Sequence, residues 1–406
     1  MKRMFPGVKP LVSVIMPMRN AEQYLVPALD SVLSQEDITL ELVVVDDGST
    51  DRSRSIVMQR NDPRIRVVDG PRRGFAASLN TGLEAAAGDI IMECDADDLC
   101  MPGRIKAQTE WLIQHDEFDA LCGSIVMIDS SGRHVSRAES KLAIEPIEPI
   151  EPIEDITNEL RDGTVRTSFC AFAYRRRVFD RVGNLREYFE TGPDIDFQLR
   201  LGEKCRVAYT SRCVYAYRLH ESSITHTQAN SRRLFFESAA YQFQRERRQG
   251  SADALSRGIP PTPPDGIDSA PSKAVNQIQG MLLGRAWAEL NGGHRARSVS
   301  TAFRAMSLKP LDRVGWVTLA KVVLRATIVK RPSGRAPPEA NRPASPGQRA
   351  GPSKLNDPMK VDTAPKGEDI ARESRSDDEQ ETPPHALSGA QGQDSAGGHS
   401  RRQDAG

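Results

Sequence analysis

Residues 40–51 read LELVVVDDGSTD, a short β-branched apolar run that stops abruptly at two carboxylates and a Gly-Ser-Thr-Asp turn. A run this apolar, with little alternation, predicts a strand covered on both faces. The form recurs on either side. Leu11–Met16 (LVSVIM) leads into Pro17, Arg19 and Asn20, and Ile90–Cys94 (IIMEC) leads into Asp95-Ala96-Asp97-Asp98. Ile65–Val68 (IRVV) is a further run of the same kind. Between the runs, Leu25, Leu29, Val32 and Leu33 repeat at helical spacing, with Pro27 expected to kink or delay that helix. Leu79, Leu83 and Ala86 mark another helix, ended by Gly88. Strand–helix alternation predicts an α/β fold with a mostly parallel, doubly wound sheet and flanking helices. Ligands of such sheets sit at the carboxyl ends of the strands, where three polar clusters would face one cleft.

Composition narrows the function classes. Lys plus Arg is 55 and Asp plus Glu is 55, a zero net charge that argues against a nucleic-acid-coating protein. The longest apolar candidate, Trp316–Val329, is 14 residues and carries Lys321 and Arg325, too short and charged for a membrane span. No signal-peptide cleavage pattern follows the N-terminus, and the six cysteines form no C-x-x-C pair. They read as small reduced core residues, and a cytoplasmic protein is expected, with peripheral contact at the cytoplasmic membrane face left open. No G-x-G-x-x-G follows a strand and no G-x-x-x-x-G-K-[ST] occurs, which speaks against dinucleotide and P-loop enzymes.

Carboxylates two apart at a strand end, as in Asp95-Ala96-Asp97, can present oxygens to one hard cation such as Mg²⁺ or Mn²⁺. Substrate phosphates usually complete the shell of such an ion. The plainer alternative is that Asp97 or Asp98 caps the helix starting near Pro102–Gly103. For Asp46-Asp47-Gly48-Ser49 the alternative is a turn and a helix cap.

Several segments together carry a resemblance. VSVIMPMRNAEQYLVPALDSVLSQ (12–35), ELVVVDDGSTDRS (41–53), RRGFAASLNTGLEAAAGDIIMECDADD (72–98) and MPGRIKAQ (101–108) resemble, in order and spacing, the family-2 inverting nucleotide-sugar glycosyltransferases. The resemblance covers roughly residues 11–225 and implies a GT-A fold. It implies nucleotide contacts from Pro17, Asn20, Asp46, Asp47, Arg73 and Asp95, with Arg72 and Gly74 nearby. An Asp46 or Asp47 carboxylate would accept from the base, since ionised acceptors make the stronger bonds. It further implies Asp97 or Asp98 as ligand of a Mg²⁺ or Mn²⁺ cofactor. VGNLREYFETGPDIDFQLRL (182–201) resembles the acceptor-side segment, and places Asp194 on the catalytic base. Pro193 stands where the family often has Glu, a departure that also fits a catalytically weak nucleotide-sugar-binding scaffold protein. YRLHESSIT (217–225) resembles the segment that closes over the diphosphate, with His220 at the metal or phosphate and Arg218 at phosphate. The implied partners are a nucleotide-sugar donor, UDP-linked by family weighting, and a glycan, lipid-linked or protein acceptor in surface polysaccharide or glycoconjugate synthesis; no nucleic acid is implied.

The chain divides unequally. A catalytic domain is expected over 1–230, with a nucleotide-sugar half to about 128 and an acceptor half from about 155. A helix follows at 231–248, a Pro/Gly-rich linker at 249–275 and a helical appendage at 276–330, which should pack on the main domain. The last 76 residues, 331–406, hold ten prolines, nine glycines and no aromatic residue, and are expected to be disordered. Ile144–Glu154 (IEPIEPIEPIE) has a proline every third residue, which excludes helix and interior strand and predicts an extended spacer.

Overall fold

The computed structural model describes residues 10–135, 150–223, 230–263 and 273–328. The segment read as a disordered tail and the first half of the IEP repeat lie outside the described residues. The chain begins β1 (Val12–Met18), α1 (Leu25–Leu33), β2 (Leu40–Asp46), α2 (Ser53–Gln59), β3 (Ile65–Asp69), α3 (Phe75–Ala85) and β4 (Ile90–Glu93). These four strands are parallel in the order β3-β2-β1-β4, so each crossover returns through a helix. Val14, Met16, Leu42 and Val44 bury one face against α1, and Ile15, Val43 and Val45 bury the other against α3. At Gly82 of α3, a Cβ would overlap Ile15 and Val45, so this glycine sets how closely the helix lies on the sheet.

Two details follow from backbone chemistry. Pro17 lies inside β1, an interior strand, yet costs no ladder bond. Ile15 O already accepts from Cys94 N where β4 ends, and the Pro17 nitrogen faces the same side one step beyond. Pro27 sits in the first turn of α1, where the N–H it lacks is not needed by the helix. One expectation is corrected: β3 is only half covered, because it is the edge strand of the sheet.

The sheet continues through a mixed half. β5 (Leu99–Cys100), α4 (Arg104–Gln114), β6 (Ala120–Ile128), β7 (Ile153–Asp155), α5 (Thr157–Arg161), β8 (Phe172–Arg175), α6 (Arg177–Val182), α7 (Pro193–Lys204) and β9 (Val207–Arg218) extend the order as β4-β8-β6-β9-β5. β8 runs antiparallel to both β4 and β6, while the long β9 is parallel to β6. The end of the IEP repeat becomes β7, pairing antiparallel with β9 off the main path of the sheet. Past the last proline of the repeat the backbone again has N–H donors, which is where pairing starts.

Among the described residues four helices follow, α8 (Asn230–Arg248), α9 (Ala274–Asn291), α10 (Arg295–Leu308) and α11 (Arg313–Ile328). α8 buries Phe236, Ala240 and Phe243 against Phe189 and Leu199. Part of the segment read as linker is built into the domain instead. Asp253 is buried between Arg186 (2.7 Å) and Arg247 (2.6 Å), and Ala254 joins the α8 cluster. The sequence conceals this because one carboxylate neutralised by two arginines anchors a stretch with few apolar residues. The six cysteines are free, and five are buried.

Candidate active site

The carboxyl ends of β1, β2 and β3 are laced by side-chain-to-backbone bonds. Asn20, at a positive φ of 51° that asparagine tolerates, accepts from Thr50 N at 2.8 Å, while Ser49 Oγ accepts from Asn20 N at 3.1 Å. Asp46 Oδ1 accepts from Ser49 N at 2.9 Å, and its other oxygen takes Arg54 at 3.1 Å; these bonds outweigh burial and hold its pKa below the usual value. Asp47 reaches the next loop, accepting from Arg72 N at 2.6 Å and Gly74 N at 3.3 Å. Neither aspartate caps α2, so the turn half of the plainer alternative holds for Asp46 and the cap half fails. Arg73 is turned to the surface, where it pairs with Glu187 at 2.7 Å.

Asp95, Asp97 and Asp98, just past β4, can bring one carboxylate oxygen each within 4.8 Å of one another. Asp98 is almost wholly buried; Oδ1 accepts the Arg218 backbone N–H at 2.6 Å, and Oδ2 makes no hydrogen bond of good geometry among the described residues, with the Tyr215 hydroxyl near enough to favour the charge. Burial, then the charges of Asp97 and Asp95, push its pKa well up. Burial also raises Asp95 to about 7, helped by Asp97 and by Asp194 across the cleft. Neither Asp97 nor Asp98 caps α4: that helix starts at a left-handed Gly103 without a side-chain cap.

β9 delivers the opposite wall. Asp95 N donates to Tyr215 Oη at 2.9 Å, and His220 Nε2 lies 2.7 Å from Asp97 Oδ2. The His220 ring packs on Tyr24 with centroids 4.7 Å apart. Arg218, expected at phosphate, is buried here and spends its guanidinium on backbone. Nε donates to Asp97 O at 2.6 Å, and Nη1 to the carbonyls of Asp129 and Ser130 at 3.3 and 3.4 Å. Its role in this structure is to fasten the aspartate loop.

Asp194 lies in the first turn of α7, which starts with Pro193 at a position made for proline, so the departure from Glu is structurally benign. Gly192, not Asp194, is the cap residue. Ser168 Oγ donates to Asp194 Oδ2 at 3.1 Å, yet burial dominates and raises the Asp194 pKa. Asp196 is fully buried against Arg200 at 2.8 Å, the i,i+4 pair its spacing implied.

Three site neighbours escaped the sequence reading. Glu93 is 2 % exposed at the end of β4 and, with its pKa pushed up by burial and Asp95, lies directly under the aspartates. A charge inside IIMEC was its only signal. Tyr215 looked like any strand tyrosine. Arg104 is buried, donates to the carbonyls of Cys170 and Phe172, and lies over the Tyr215 ring at 5.2 Å.

Comparison with known proteins agrees with this geometry. A family model described as glycosyl transferase family 2 matches residues 13–183. Over those residues the chain is similar to glycosyl transferase family 2. The matched domain contains the aspartate cluster and the sheet core, and its doubly wound arrangement with flanking helices is the GT-A architecture expected. An uncharacterized glycosyltransferase of Haemophilus influenzae is 39% identical over 109 residues, 26% of this chain and 44% of that protein. The Bacillus subtilis uncharacterized glycosyltransferase EpsJ is 29% identical over 226 residues, 53% of this chain and 63% of that protein. The match thus spans about half the length of these relatives. The solved structure of Staphylococcus aureus TarS 1-349 in complex with UDP-GlcNAc is 18% identical, covering 78% of this chain and 89% of that one at a TM-score of 0.44. At that score the likeness adds nothing to the site.

Proposed function

We propose that this family 2 domain transfers a sugar from a UDP-linked donor to an acceptor hydroxyl with inversion, in surface polysaccharide or glycoconjugate synthesis. The observation that carries the reading is the buried Asp98 Oδ2, which makes no well-formed hydrogen bond among the described residues, beside two further carboxylates. Three acids crowded this way, Asp95 and Asp98 with raised pKa values, fit a divalent cation, Mg²⁺ or Mn²⁺. Asp97 and Asp98 would hold it, with Asp95 toward the nucleotide and His220 fixing Asp97. When bound, such an ion acts as a Lewis acid that offsets the diphosphate charge.

The chain's own residues supply the rest. Asn20, Asp46 and Asp47 shape the nucleoside end, tied to one another through the loops described above. The acceptor oxygen attacks the anomeric carbon from the face opposite the diphosphate, whose C–O electron pair leaves with the phosphate. The hydroxyl proton passes to Asp194. Its raised pKa makes it a stronger base, while Ser168 fixes the carboxylate. No covalent intermediate arises, so no nucleophile is needed.

Two measurements test this. UDP with Mn²⁺ should stabilise the fold far more than UDP with EDTA, by about 2.7 kcal/mol near 100-fold saturation, read as a higher melting temperature; equal protection would remove the metal assignment. Asp194→Asn should lower transfer at least ~10²-fold, the usual general-base effect, with UDP–Mn²⁺ binding unchanged within a few-fold. In the parent, transfer should fall on acidification at a pH above the ordinary aspartate range near ~4, because only the ionised carboxylate takes a proton. Undiminished transfer by the variant would clear Asp194.

A further inference from the structure

We propose that the outer face of the helical appendage, α11 with the turn before it, docks on an anionic lipid surface. α9 forms the inner layer, packing Ile278 and Leu282 against Leu219 and Val135 of the domain. α11 lies outside it, closing on α9 and α10 through Val322, Ala286 and Ala302. Its other side faces solvent. Leu311 is 94% exposed, Val317 54% and Trp316 44%. The Trp316 indole donates to Pro310 O at 2.7 Å, which holds the ring beside the Leu311 turn. Arg313, Lys321 and Arg325 are exposed on the same helix. At 100° per residue, positions 313, 316, 317 and 321 share one half of the helix, so the bases line an apolar stripe.

Charge selects the occupant. Residues 274–328 contain eight Lys and Arg against two acids, Glu289 and Asp312. Both acids are engaged internally, Glu289 with Arg285 and Thr301, Asp312 with Gln279 and Gly315 N. A second copy of this face would meet like charge. Nucleic acid would match the bases but leave Leu311 and Val317 in water. A bilayer interface takes both, with tryptophan at the boundary. Among the described residues no helix is long and apolar enough to cross a membrane, so the helix would lie on the surface.

The full-length chain should be sedimented with phosphatidylcholine vesicles, with or without one quarter phosphatidylglycerol. At least tenfold stronger partitioning onto the anionic vesicles is expected, lost at high salt. Arg313→Glu with Lys321→Glu should weaken it at least tenfold. Leu311→Ser, in a turn too exposed to affect folding, should weaken it several-fold with an unchanged melting temperature. Absent binding to anionic vesicles, binding indifferent to both variants, tighter binding to a single-stranded oligonucleotide, or a dimer abolished by Leu311→Ser would each overturn the proposal.

Discussion

Asp98 illustrates how a site residue can oppose the fold that holds it. Its folded-state pKa lies above the ordinary value, so ionisation costs stability as pH rises past the unfolded carboxylate range near ~4. Asp98→Asn removes that cost and still offers Oδ1 to Arg218 N. The variant should match or exceed the parent's melting temperature at pH 7, by a margin that shrinks toward pH 4, while losing the added stabilisation from UDP with Mn²⁺. A melting temperature several degrees below the parent would show that the charge supports the fold. At this scale the sequence was informative where a residue type is chemically unusual for its place. DADD after an apolar run announces itself. Tyr215 and Arg104 did not, because their meaning lies in partners 66 or more residues away.

Among the elements, the appendage bears on the site more directly than its sequence suggested. Leu219, between Arg218 and His220, joins Val135 of the domain in the α9 cluster. Arg304 of α10 holds Asp129 at 2.5 Å, and Asp129 O in turn accepts from Arg218. That ion pair and the Ser131 and Arg133 bonds lower Asp129 to about 2 despite burial. His134 is lowered to about 4 by burial, then by Arg285 and Arg304. Docking therefore favours a neutral His134. It is favoured above the unperturbed histidine pKa of ~6.5 and weakens progressively as pH falls toward 4. Hydrogen-exchange protection factors in 274–328, which allow for the slower intrinsic exchange in acid, should fall between pH 7.5 and 5, with Asp129 still ionised throughout; unchanged protection factors would refute the linkage. Arg304→Ala should loosen the same helices and weaken UDP–Mn²⁺ binding several-fold, measurable by calorimetry. Helix existence was legible from composition, as was the parallel half of the sheet from its apolar runs. The docking was not, since it depends on arginines whose partners sit on a distant hairpin. The built-in end of the linker was hidden for the same reason.

Across the whole molecule, the aspartate loop is fastened to β9 and the segment after it by bonds spanning 120 to 123 residues: Asp95 to Tyr215, Asp98 and Asp97 to Arg218, and Asp97 to His220. The parallel half, residues 12–93, closes its strand pairs over much shorter stretches. Closing a long loop costs entropy before its contacts return anything, so these two parts should mature at different times. After dilution from denaturant, helical circular dichroism should recover first and UDP–Mn²⁺ binding lag behind it; simultaneous recovery would contradict this order. On the ribosome the consequence is sharper. A nascent chain emerged only to α7 would carry its acidic loop without the strand that covers it, a buried-charge site still open to water. The protein would acquire the donor binding proposed for it only when β9, the last described strand of its sheet, arrives, so an incomplete chain could fold its core yet hold no nucleotide.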